Sequence, residues 1–232
     1  MALSSAVCCR MMKACQDAQV LLTVGHVTRW MEALQVARSL IDDGSVGDVR
    51  IIQTWRLMAG GLPFPEGSWA LDPTESGPFL DWGSHGCDTV RWLAGADALR
   101  CFDQSTGFGA DQRLQPSTMA QITFANGVMA QIWMTYELPD VALGSRARYV
   151  VVGSRATLDI SAFGQVLRSR EDGGWDSVYR SAEFDRMRPV WGYPSECLRE
   201  AFVRQIGDLT GAVMEGKGLA VTAQNGEPRR VP

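Results

Sequence analysis

Residues 117–137 read STMAQITFANGVMAQIWMTYE. Apolar and polar residues alternate on either side of Asn126-Gly127, the dipeptide best suited to a tight turn with positive φ. The stretch therefore predicts two antiparallel strands, 117–125 and 128–137. The same texture continues around it. Short runs with β-branched and aromatic residues recur at 99–108, 147–153, 156–160, 164–169 and 175–180, and Gly153-Ser154 and Gly173-Gly174 mark further turns. Residues 99–180 thus predict a mostly antiparallel sheet made of consecutive hairpins.

The flanks read differently. Val7, Met11, Met12 and Cys15 have helical spacing and predict a helix over 3–18. Val20 to Val24 form a short apolar run ended by Gly25, which predicts a buried parallel strand over 19–24. Leu34, Ala37, Leu40 and Ile41 predict a helix over 30–43, with Gly44 at its C-terminal end, and 49–58 alternate as a strand. The chain thus opens α-β-α-β, the pattern of a parallel sheet. Residues 59–77 are rich in Gly and Pro and predict a long loop. A helix follows over 78–94, with Pro78 in its first turn and Gly95 at its end. A last helix spans 194–215, with apolar positions at Leu198, Phe202, Ile206, Leu209 and Val213. The fold class is α/β (α+β) with a large open, mostly antiparallel sheet.

The 232 residues suffice for one large domain or one and a half smaller ones. A formal net charge of −4 gives no basic field for nucleic acid or an anionic membrane. No apolar run approaches the roughly 20 residues that span a bilayer. Arg10 and Lys13 interrupt the N-terminus, so a secretory signal is not expected; its first acidic residue is Asp17, but the spacing favours an ordinary helix over a transit peptide. Cys8, Cys9, Cys15, Cys87, Cys101 and Cys197 form no C-x-x-C pair, and the chain has only His26 and His85. That argues against a metal cage and for reduced thiols in a cytoplasmic protein.

The segment most suggestive of chemistry is Asp81-Trp82-Gly83-Ser84-His85-Gly86-Cys87-Asp88. Asp81 and His85, four apart, share a face if the segment is α-helical. An imidazole beside a carboxylate can take a hydroxyl proton while hydride leaves the same carbon. Asp88 could serve in place of Asp81. The plainer reading, slightly ahead on spacing alone, is a satisfied core histidine and a carboxylate answering the helix dipole. His26, Arg29 and Trp30 follow the run 19–24, at the end of a strand where open α/β sheets bind ligands, although a surface arginine starting a helix is the simpler account. Trp55, Trp69, Trp82 and Trp92 could line a sugar cleft or only fill core and rim. Gly107-Phe108-Gly109 begins like a dinucleotide fingerprint but has Gln112 where the third glycine belongs. Gly211 to Gly218 imitates a phosphate loop but lacks its Ser or Thr. There is no Gly-x-Ser-x-Gly elbow. A glycosidase-type carboxylate pair stays open.

Val24-Gly25-His26-Val27-Thr28-Arg29-Trp30, Ile41-Asp42-Asp43-Gly44-Ser45-Val46-Gly47-Asp48-Val49, and Asp81-x-Gly83-x-His85-x-x-Asp88 followed by Trp92-Leu93-x-Gly95 resemble segments of the glucose–fructose oxidoreductase/inositol dehydrogenase (Gfo/Idh/MocA) family. Trp69 to Asp72 and the tail from Phe202 to Gly226 are similar too. The resemblance implies an NAD- or NADP-dependent dehydrogenase of sugars, cyclitols or related polyols. His85 would be the catalytic histidine with Asp81 beside it, His26 and Arg29 would lie at the cofactor, and Trp69, Trp82 and Asp88 at the substrate. It further implies that residues 1–28 are the end of a Rossmann domain and 29–232 the substrate domain, able to form a homo-oligomer through its open sheet. The family's glycine-rich loop and its Glu-Lys-Pro segment fall before Met1 in this register, the tail stops short of the family's last helix, and Pro78 replaces a glycine. On that register the chain is expected to be incomplete, to bind dinucleotide weakly, and to expose apolar surface near residues 5–25. The rival expectation is a non-catalytic binding or oligomerisation module.

Overall fold

The computed structural model describes residues 4–59, 65–72, 79–108, 117–138, 147–184 and 196–222. Its elements are α1 (Ser5–Asp17), a 3-10 turn (Val27–Trp30), α2 (Glu32–Asp42), β1 (Val49–Ala59), a 3-10 turn (Trp69–Leu71), a π turn (Phe79–Gly83), α3 (Ser84–Ala94), β2 (Ala98–Thr106), β3 (Ser117–Phe124), β4 (Met129–Leu138), β5 (Ala147–Gly153), β6 (Thr157–Ser161), β7 (Gln165–Ser169), β8 (Trp175–Arg180) and α4 (Glu196–Glu215). Much of the loop predicted over 59–77, together with Pro78, lies outside the described residues.

One eight-stranded sheet runs in the order β2-β3-β4-β1-β5-β6-β7-β8. Every strand predicted between 99 and 180 is present, and Gly127 takes φ 85° in the turn joining β3 to β4. β1 is inserted at the centre. It pairs parallel with β4, Ile52 opposite Ala130, and antiparallel with β5, Ile52 opposite Val151. All other neighbours are antiparallel.

The strand expected over 19–24 is not formed, and with it goes the parallel α-β-α-β opening. Val20 and Leu21 are exposed. Thr23 Oγ1 donates to the carbonyl of Val221 at 2.6 Å, and Gln205 Nε2 donates to the carbonyl of Val24 at 3.2 Å. The segment therefore spends polar contacts on α4 and the turn beyond it rather than on a strand edge. An apolar run carries no period of its own and becomes a strand only where an edge is offered. α1 buries none of its residues, so apolar surface is indeed exposed near residues 5–25.

α2 and α3 cover one face of the sheet. Their buried Ala33, Leu34, Ala37, Val90, Leu93 and Ala94 pack into a single core with Ile52, Ile132, Tyr149, Val151, Leu158 and Ile160. Cross-strand pairing puts Trp55, Trp133 and Met119 on the opposite face, with Ile51, Gln53, Gln131 and Phe102. No described helix covers that face, and Phe102 is 69% exposed there. α4 buries Cys197, Ala201 and Ala212 and packs Leu198 partly against the core, whereas Phe202, Ile206 and Val213 are exposed. Small residues let the helix backbone approach the turn 27–30 closely.

Candidate active site

The functional residues converge where the turn 27–30, the start of α3 and the helix-covered side of β1, β4 and β5 meet. The π turn at Phe79–Gly83 brings the chain into α3, and π geometry within a helix often accompanies functional sites. Gly83 is required by packing, because a Cβ there would lie 2.7 Å from the ring of Phe79. Asp81 lies in the π turn and His85 at the start of α3. No hydrogen bond joins them, and His85 Nδ1 is buried without a partner among the described residues.

The ring beside His85 is that of His26. The two lie 5.9 Å apart, edge to face at 82°. Behind His26 stands Asp88, whose Oδ1 is 3.7 Å from His26 Nε2. Asp88 is 4% exposed and accepts two bonds from Arg29, from Nε at 2.6 Å and from Nη2 at 2.5 Å. This bidentate fork satisfies both buried charges. The resemblance puts Arg29 and His26 at a cofactor and Asp88 at a substrate. The structure places all three in a buried wall adjoining His85. Trp69 is 60% exposed in the turn 69–71 and stands apart from these contacts.

Arg56 was not picked out from the sequence, although Ile52, Thr54 and Arg56 share the covered parity of β1, and a polar pair at inward positions is the signal that marks it. It is 3% exposed. Its Nη2 donates to Thr28 Oγ1 at 3.2 Å and to the Tyr149 hydroxyl at 2.8 Å, and the guanidinium lies 5.6 Å from the ring centroid of Trp82. Trp82 in turn leans on Tyr136, 5.9 Å away.

Burial, then the charge of Arg56, then His26 push the His85 imidazole down to about 3, so it is neutral throughout the physiological range. Burial lowers His26 too, against the pull of Asp88. Burial raises the Asp81 carboxyl, and Arg56 works against that rise. Burial pushes the Cys87 thiol up to about 12 and the Tyr136 hydroxyl upward, so both stay protonated. Together these bring a neutral imidazole, a carboxyl and a fixed cation into one largely buried cluster.

The model of the GFO/IDH/MocA C-terminal domain matches residues 34–159 of the 232. The chain belongs to the Gfo/Idh/MocA family. It is 33% identical over 98 residues to 2,7-anhydro-N-acetylneuraminate hydratase of Escherichia coli K12, a match covering 40% of this chain and 25% of that enzyme. It is 32% identical over 133 residues to 1-carboxy-3-chloro-3,4-dihydroxycyclohexa-1,5-diene dehydrogenase of Comamonas testosteroni, covering 57% of this chain and 33% of that one. The chain thus spans a quarter to a third of the curated relatives it matches. The fold is shared with an oxidoreductase of Agrobacterium radiobacter solved with NAD+, L-tartaric acid and magnesium, at a TM-score of 0.78 and 15% identity over 97% of this chain and 64% of that one.

The described residues of this Gfo/Idh/MocA chain do not fit a dinucleotide. Arg29 is engaged by Asp88, and His26 is 3% exposed, so neither can reach a pyrophosphate. No glycine-rich turn opens a helix among them, which is where phosphate is ordinarily cradled. Nor do they contain a group of three or more metal-ligating side chains. None of the described helices is long and apolar enough to cross a membrane.

Proposed function

We propose that the chain carries the proton-transfer side of an oxidoreductase acting on sugars, cyclitols or related polyols, with NAD or NADP as the hydride acceptor of the reaction. The observation that carries this reading is His85, a neutral imidazole with an unpaired Nδ1 at the start of α3, between Arg56 and His26. Such a ring takes the proton of a substrate hydroxyl once the bound substrate draws its basicity back up from the low value that burial and Arg56 impose. Asp81 is the second acid/base group, Trp82 the apolar rim, and Arg29 with Asp88 the rigid wall behind. Residues 29–232 form the substrate domain and 1–28 belong to the cofactor side. The dihydroxylated ring named for the Comamonas relative supports the substrate class.

The test uses the full chain with NAD+ or NADP+ and a panel of polyols, followed by nicotinamide absorbance. The rate is expected to stay proportional to dinucleotide into the millimolar range, since the described residues supply no phosphate cradle. His85→Ala should cut it by about 10²–10⁴-fold at unchanged substrate affinity. No polyol-dependent reduction with either nucleotide at saturating polyol would remove this reading.

A second reading is a module that associates through its open sheet. The exposure of Phe102, Met119 and Met129 on and beside that face favours it. Light scattering after size exclusion tests it, with Phe102→Ser expected to dissociate any dimer.

A further inference from the structure

Two arginines are buried beside His85, and their partners differ. Arg29 is matched by a carboxylate on both arms of its fork. Arg56 is matched by two hydroxyls, those of Thr28 and Tyr149, and forms no ion pair among the described residues. Its Nε is buried and has no hydrogen-bond partner. Gly86 packs over that arm of the guanidinium: a Cβ built there would stand 3.7 Å from Nε.

A guanidinium cannot shed its charge as a lysine or histidine can, so an unmatched one in a dry interior is costly unless an anion arrives to match it. Its neighbours say where that anion would sit. The charge of Arg56 reaches both His85 and Asp81, the two groups assigned to chemistry, and its plane is flanked by Trp82. Thr28 and Tyr149 hold the head group in place without neutralising it. Two neutral hydroxyl partners leave that charge to be met by Asp81, which burial pushes toward its neutral form, or by a bound anion.

Building on the oxidoreductase reading, we propose that the site selects polyols bearing a carboxylate near the reacting hydroxyl, with Arg56 as the specificity-determining countercharge. At short range in a medium of low dielectric, the attraction acts whether the carboxylate meets Nε directly or lies one group away.

Calorimetric titration of the full chain with D-gluconate and with D-glucitol, its neutral counterpart, tests this. Gluconate is expected to bind at least about tenfold more tightly. Arg56→Met should erase the difference, and Arg56→Lys should keep part of it, with circular dichroism checking that each variant folds. Equal affinities for the pair, binding of neither, or a preference that survives in folded Arg56→Met would each overturn the proposal. If Arg56→Met does not fold, the wild-type pair and Arg56→Lys decide: an undiminished preference in Arg56→Lys counts against the fork. Acid-selective binding without nicotinamide reduction would keep this inference and sink the oxidoreductase reading, whereas reduction by neutral and acidic polyols alike would do the reverse.

Discussion

The two faces of the sheet are built from the same alternation and end in opposite states. On the covered face, Ile52, Ile132 and Leu158 are fully buried beneath α2 and α3, and charged groups are buried among them. On the open face, Trp55 and Trp133 share the surface with Gln53 bonded to Gln131 at 3.2 Å, and with Arg148 paired to Asp159. Period two decides only that the sheet has two faces. What lies against each face decides the energetics, and an ion pair makes that difference measurable because both faces have one.

The largest effect is expected from Asp88→Ala. It strips a buried guanidinium of both its bonds and should cost about 3–5 kcal/mol, read from the midpoint of urea unfolding. Asp88→Asn should recover part of this through one amide oxygen. Next comes Leu93→Ala beneath the same face. Leu93 is 1% exposed in the core, so a cavity is left, and the expected loss is about 2–4 kcal/mol. The matching change on the far stripe of α4, Ile206→Ala, removes a side chain already in water and should move stability by less than about 0.5 kcal/mol.

Acid should act on the covered face through its buried histidines. His85 is held near 3, against 6.5 when unfolded, so between those values the unfolded chain binds a proton that the folded chain refuses. Stability is therefore complete above pH 6.5 and falls as pH drops toward 3, by at most about 1.4 kcal/mol per unit from this one group. His26, also lowered, adds to the slope. Asp81, raised, opposes it over the range just above its ordinary value, where the folded chain holds the extra proton. Thermal melts across that window should show a shallower slope in His85→Gln. An unchanged slope would mean that the ring is solvated.

The same contrast explains what the sequence made legible. The strands from β2 to β8 are local statements, alternation bounded by turn residues such as Asn126-Gly127, and they needed no partner to be recognised. Residues 19–24 were misread because an apolar run is a strand only beside an open edge, and their polar groups go to Val221 and Gln205 instead. Which side of α4 packs is not legible from its apolar positions, since Leu198 packs partly against the core while Phe202, Ile206 and Val213 face water. In the site, Asp81 and His85 are visible from their spacing, while the π turn that carries Asp81 is not. Arg56 was hidden because an arginine within an alternating strand looks like the solvent side until the partner strands fix which parity is covered.

A small effect should also come from Asp159→Ala on the open face, and it sharpens the comparison most. The pair it breaks has the same chemistry as Arg29 and Asp88, but the Arg148 side chain is 35% exposed and that of Asp159 16%. Freed, Arg148 keeps water on one side and the ring of Trp55, 5.1 Å from its guanidinium, on the other. The expected cost is at most about 1 kcal/mol, shrinking further with salt. Should Asp159→Ala instead cost as much as Asp88→Ala, the open face would have to be dry, and a second copy of the chain is the simplest cover. The penalty would then grow with protein concentration, because dissociation would precede unfolding. A small, concentration-independent cost leaves that face in water and confines the buried charges to the side where His85 lies.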